Sequence, residues 1–197
     1  VGHHADGRTA AVQFAQEGGP LRRINIDRLH AGRTDAASYL VVEPSGRSVV
    51  EIKGDALDAG LLLQDDGLPP DRKAPPMVVQ ANLKRLWINE DGGLDNAQVV
   101  MTRTDGLWRN LTAEGLAGGK PLRLSITPEG PMRRRLFVVS QDAGAAISGL
   151  GILDNVKGGK LEISGVYDDT KPETPLEGVG KMQDFNVVRA PVLARIL

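Results

Sequence analysis

Short runs in which apolar and polar residues alternate, each cut off by a glycine, proline or aspartate turn, fill most of this chain. They constrain its fold more than any other feature. Successive side chains of a strand point to opposite faces, so a period of two describes a sheet with one buried side. Ala97, Val99 and Met101 share one side of the run from Leu94 to Thr104, and Leu122, Leu124 and Ile126 do so in the next such segment. Leu136 with Val138, and then Leu161 with Ile163, repeat the arrangement. The fold class this predicts is mainly β: an antiparallel meander of hairpins forming a curved, twisted sheet or open groove.

Taken in order, Thr9 to Gln16 and Leu21 to Leu29 form a hairpin about Gly18-Gly19-Pro20, and Ala37 to Glu43 and Ser48 to Lys53 form a second about Pro44-Ser45-Gly46. From Gly54 the alternation stops, which predicts a short helix over 55–63 with Asp55 as its cap. Asp65 to Pro76 holds two proline pairs and no apolar period, so it reads as an exposed loop. The strand from Met77 to Asn89 loses its phase near Lys84-Arg85-Leu86, as a β-bulge would make it do. Asp105-Gly106 is a hairpin turn leading into the strand Leu107 to Leu116.

Gly118-Gly119-Lys120 and Gly158-Gly159-Lys160 each precede a strand and stand 40 positions apart, a spacing typical of a repeating β unit. Met132 to Ser140 is a strand. Asp142 to Leu153 has apolar residues at helical spacing behind an aspartate N-cap, which predicts a helix over 142–153. Strands follow over 159–167 and 176–184, and Pro191 opens an apolar helix over 191–197. The chain thus divides into β repeats over 1–64, the proline-rich loop over 65–76 and a β region over 77–197. These read as one continuous unit.

Composition narrows the function. With 24 basic and 25 acidic residues there is no general field for nucleic acid, and 4% aromatics leaves few rings on which bases or sugars would stack. Without cysteine there is no disulfide framework and no thiolate metal site. No apolar run reaches the roughly 20 residues that span a bilayer. His3, His4 and His30 have no neighbouring ligand motif, so they read as surface residues and no metal is expected. Gly119-Lys120 and Gly159-Lys160 lack the remaining letters of a phosphate-binding loop, and no Gly-x-Ser-x-Gly elbow is present. The pairs Asp65-Asp66 and Asp168-Asp169 lie in polar turn segments and read as solvated loop carboxylates. No catalytic residue and no cofactor is expected. Arg133, Arg134 and Arg135 are either guanidinium forks for phosphate headgroups or a charged strand edge that discourages aggregation.

Val139-Ser-Gln-Asp-Ala-Gly144, Gly158-Gly-Lys-Leu-Glu-Ile-Ser-Gly165 and Asp184-Phe-Asn-Val-Val-Arg-Ala-Pro-Val-Leu-Ala-Arg-Ile-Leu197 stand in an order that resembles the C-terminal region of AsmA-like bacterial envelope proteins, in particular those of the YhdP type. The likeness runs from about Val49 onward. It implies a segment of a longer, inner-membrane-anchored periplasmic protein, joined to the membrane by an N-terminal anchor outside this sequence. Such a protein moves phospholipid along an apolar β groove, supports envelope integrity and meets other envelope proteins. Under this reading Val99, Met101, Leu122, Leu124, Ile126, Leu136, Val138, Leu161 and Ile163 face lipid, and Arg133, Arg134 and Arg135 meet headgroups. Two other readings stay open: a scaffold for outer-membrane assembly whose apolar faces close on each other, and a carbohydrate-binding or hydrolytic β domain.

Overall fold

The computed structural model describes residues 9–15, 22–60, 71–149, 152–153 and 155–188. Eleven strands lie side by side in chain order in one sheet. They are β1 (Thr9–Ala15), β2 (Arg23–Ala31), β3 (Thr34–Val42), β4 (Ser48–Asp58), β5 (Met77–Trp87), β6 (Gly93–Thr104), β7 (Leu107–Ala117), β8 (Lys120–Pro128), β9 (Arg133–Ser140), β10 (Val156–Asp168) and β11 (Leu176–Val187). Among the described residues β1 and β11 form the two edges, so the sheet stays open rather than closing into a barrel. The predicted β class holds, with one difference in topology. β4 and β5 run parallel, with Val50 beside Val79 and Ile52 beside Ala81, while every other neighbouring pair is antiparallel. A parallel pair needs a connection that returns the full length of the strand. The proline-rich segment between them is that connection, and the sheet is continuous across it.

The strands have two distinct ends. At one, here the helix end, lie Asp58, Trp87, Ala117 and Val156. At the other, the arginine end, lie Met77, the Asp105-Gly106 turn, Arg133 and Asp168. The single helix among the described residues, α1 (Ala143–Gly149), crosses the helix end. Its start is fixed by Asp142, whose Oδ1 accepts the Ala145 amide at 2.9 Å. Ala143, Ala146 and Ile147 then bury against Leu83, Leu94, Ala97, Ala117, Leu122 and Leu161. The approach is close because small residues meet: a Cβ on Gly92 would stand 2.2 Å from the Gly149 Cα. Asn89 locks the contact, donating through Nδ2 to the Gly149 carbonyl at 2.7 Å and the Ser148 carbonyl at 3.2 Å.

Several local expectations need correction. The helix over 55–63 does not form: Asp55 to Asp58 continue β4, where ladder bonds to β3 and β5 outweigh the local break in alternation; positions 61–63 lie outside the described residues. The bulge expected near Lys84-Arg85-Leu86 is not in β5, whose register with both neighbours is unbroken there. It lies across the ladder in β6, between Asp95 and Gln98, where Asn96 takes a φ of 50°. The two glycine pairs are not equivalent. Gly118-Gly119 turns the β7–β8 hairpin, whereas Gly158-Gly159 sits inside β10, opposite a β11 segment in which Asp184 has a φ of 56°. The helix expected over 142–153 ends at Gly149, and Ile152 and Leu153 are exposed. The helix expected over 191–197 and the turn at Gly18-Gly19-Pro20 lie outside the described residues.

Candidate functional site

The ladder registers align the apolar side chains into rows that cross the sheet. One row runs Ala81, Val99, Ala113, Leu124, Val138, Ile163 from β5 to β10. A second runs Val79, Met101, Leu111, Ile126, Leu136, Gly165. A third, nearer the helix, joins Leu122, Ser140 and Leu161. All nine residues expected to share a face therefore do so. β4 extends the first two rows with Ile52 and Val50, and β3 adds Ser38 and Leu40.

Charged and polar residues dominate the opposite face, where Val100 and Phe137 are also exposed. Lys53, Lys84, Glu114, Arg123, Arg133, Arg135, Lys160 and Glu162 are exposed there, with Arg123 Nε 3.0 Å from Glu114. A concavity of about 440 Å³ on this polar side is lined by Gln98, Glu114, Arg123 and Gln141 among others. It brings together no set of groups that would do chemistry.

Burial separates the apolar face into zones. Leu122 and Leu161 are buried beside the helix, and Ile126, Leu136 and Val138 form a second small cluster; Val99, Met101, Leu124 and Ile163 are half-buried. Among the described residues no large side chain is fully buried. In two packed layers, facing side chains interdigitate and the largest of them lose all contact with water. Here every described strand belongs to the one sheet, and α1 covers only its helix end. Along the middle of the face Val99, Met101, Leu124 and Ile163 stay half-buried while Val138 among them is 2% exposed, and no second sheet is described above them.

The arginine end is closed by a polar cluster. Arg134 alternates in phase with Leu136 and Val138, so it projects onto the apolar face and is 5% exposed, while Arg133 and Arg135 point to the polar face. The three arginines therefore do not form one headgroup patch. Arg134 Nε lies 3.0 Å from both Asp169 oxygens and Nη2 lies 2.8 Å from Oδ1. Its Nη1 donates to the Trp108 carbonyl at 3.0 Å, and its guanidinium stacks 4.4 Å from the Tyr167 ring centre. Arg109 Nη1 reaches the same carboxylate at 3.2 Å and the Pro131 carbonyl at 2.7 Å. Asp169 is thus a buried, paired acid and not the solvated loop carboxylate its polar surroundings suggest. The alternation of Arg134 with Leu136 was the signal for this. Asp168 does stay on the surface, where Thr170 and then Lys171 hold its carboxyl below the usual range. Burial pushes the Tyr167 phenol up.

The helix end has a matching arrangement. The Trp87 ring lies between the guanidinium of Arg33, at 4.6 Å, and that of Arg85, at 4.2 Å. Arg33 also donates to Asp58 Oδ2 through Nη2 at 2.8 Å and to the Glu90 carbonyl through Nη1 at 2.7 Å. The Gly60 amide and then Arg33 hold the Asp58 carboxyl below its ordinary value. On the polar face Arg135 does the same for Glu129.

His30 is on the surface beside Asp35, at 3.6 Å. Among the described residues no cluster of histidines and carboxylates has the makings of a metal site, and no helix is long and apolar enough to cross a membrane. His3, His4, Asp65 and Asp66 lie outside the described residues. Comparison with protein-family models and with curated proteins finds no match for the chain.

Proposed function

We propose that the apolar face binds the acyl chains of phospholipid, and that this chain is a periplasmic segment of an AsmA-like envelope protein along which phospholipid passes between the inner and outer membranes. The observation that supports this most is the band of half-buried Val99, Met101, Leu124 and Ile163, aligned across the strands with no second layer described above it. Apolar side chains left half-buried in one continuous band suit an apolar occupant. The rows run from β3 to β10, seven strand-to-strand steps that at about 4.8 Å each make the face roughly 34 Å long across the sheet. Each methylene laid on it leaves water with a gain of about 0.8 kcal/mol, so a tail moving from row to row stays dry throughout. No reactive side chain is needed. The resemblance to AsmA-like proteins supplies the compartment and the direction of the reading.

A photo-reactive amino acid placed at Leu124 or Ile163 tests the proposal against the same probe at Ser125 or Glu162. Crosslinks to phospholipid from the first pair and not the second support it; equal or absent crosslinking from both refutes it.

A second reading, a scaffold for assembly of other envelope proteins, draws on β11. Among the described residues that strand pairs on one side only, and it exposes Leu176, Val179, Phe185 and Val187.

A further inference from the structure

The apolar face ends, beyond Tyr167, in a group of arginines that outnumber the carboxylate they surround. Four separate pieces of chain meet there. Arg72, in the segment returning to β5, donates through Nη2 to the Asp169 carbonyl at 3.1 Å. Arg103, at the end of β6, donates to the Pro75 carbonyl at 3.2 Å and stacks on the Trp108 ring at 5.5 Å. Arg109 and Arg134 share the single carboxylate of Asp169. The side chain of Arg134 is 7% exposed and that of Arg109 14%, against 0% for Asp169, so this one negative charge faces two cations at short range.

The neighbouring acids do not balance the excess. Asp71 accepts the Lys73 amide and Asp168 is held by Thr170 and Lys171, while Asp105 sits in the exposed β6–β7 turn. The cluster also touches the apolar band directly: Tyr167, whose ring carries Arg134, packs against the buried cluster of Ile126, Leu136 and Val138. Cationic forks therefore stand at the margin of an apolar surface, where an amphiphile would place its phosphate. From Ile163 to Tyr167 the strand covers four residues, about 13 Å, close to the roughly 15 Å depth of one leaflet.

We propose that Arg103 and Arg109 hold the phosphodiester of a phospholipid headgroup, with its tails running from Tyr167 toward α1. Guanidinium forks match phosphate oxygens in geometry as well as charge. Arg134 is committed to Asp169 and acts as a positioning residue that keeps Arg109 and Tyr167 in place. This assignment rests on the acyl-chain reading above and adds to it which end of the face the headgroup occupies.

The test compares phosphatidylglycerol with diacylglycerol of the same tails, and with glycerol phosphate alone, for binding to the chain by native mass spectrometry. The expected result is that phosphatidylglycerol binds about tenfold tighter than diacylglycerol, the factor one charge-assisted contact supplies. Arg109→Gln and Arg103→Gln should each remove that preference and leave diacylglycerol binding as it was. Arg103 does not touch Asp169, so its variant serves should loss of Arg109 unfold the chain. Equal binding of the two lipids by the wild type, or a preference that survives both substitutions, overturns the headgroup site while leaving acyl-chain binding intact. Tight binding of glycerol phosphate alone reassigns the cluster to soluble phosphate esters and overturns it too. Failure of both lipids to bind overturns this inference together with the reading it rests on.

Discussion

Arg134 and Asp169 are 35 residues apart in sequence and joined by three contacts of 2.8 to 3.0 Å, with the carboxylate wholly shielded from water. Removing one partner of such a pair leaves the other charge buried and uncompensated, which costs about 3–5 kcal/mol. Asp169→Asn is therefore expected to lower the urea midpoint by a large fraction of a domain's stability. Arg134→Met combined with Asp169→Leu should recover only part of the loss, because Arg109, which shares the carboxylate, is left without its partner. An Asp169→Asn variant as stable as the wild type would show that the pair is a surface feature.

Gly92 admits α1 to the sheet. Gly92→Ala places a methyl 2.2 Å from the Gly149 Cα, and backbone has no rotamer with which to yield. The expected loss is at least about 1–3 kcal/mol, the usual range for overpacking. Hydrogen exchange should locate the damage, with protection falling first in Ala143–Gly149 and in the β5–β6 turn rather than evenly across the sheet.

Asp58 gives the fold an acid-sensitive contact. The Gly60 amide and the Arg33 guanidinium lower its pKa below the ordinary 3.8. A carboxyl whose pKa falls on folding adds stability that is complete above the unfolded value and fades as pH drops through the folded one. Chemical denaturation of wild type and Asp58→Asn should differ by on the order of 1 kcal/mol at pH 7, the gap closing as the pH falls through the lowered pKa of Asp58. A gap that persists unchanged into acid would assign the effect to side-chain packing and not to charge.

Much of this architecture was legible in the alternation. Val99, Met101, Leu124 and Ile163 were placed on one face by period alone, and Asp142 marked the start of α1 by its position before a run of small residues. What escaped depended on partners distant in sequence. Asp55 to Asp58 lack strand alternation and are held extended by β3 and β5, information that local propensity does not contain. The parallel pairing of β4 with β5 follows from where the return segment delivers the chain, not from either strand's composition. Asp169 sits in a polar turn and is buried because Arg134, Arg109 and Arg72 converge on it. The one available clue was the phase of Arg134 with Leu136 and Val138, which three consecutive arginines obscured.

Uptake of acyl chains by the apolar face decides the function proposed for this chain. The most direct measurement is the phospholipid bound by the chain after incubation with phospholipid vesicles and re-isolation, quantified by extraction and mass spectrometry. It should be compared with a Leu124→Gln, Ile163→Gln variant shown by circular dichroism to keep its sheet. The expected result is bound phospholipid on the wild type and loss of most of it from the variant. Absence of lipid from the wild type, or equal amounts on both proteins, would contradict it.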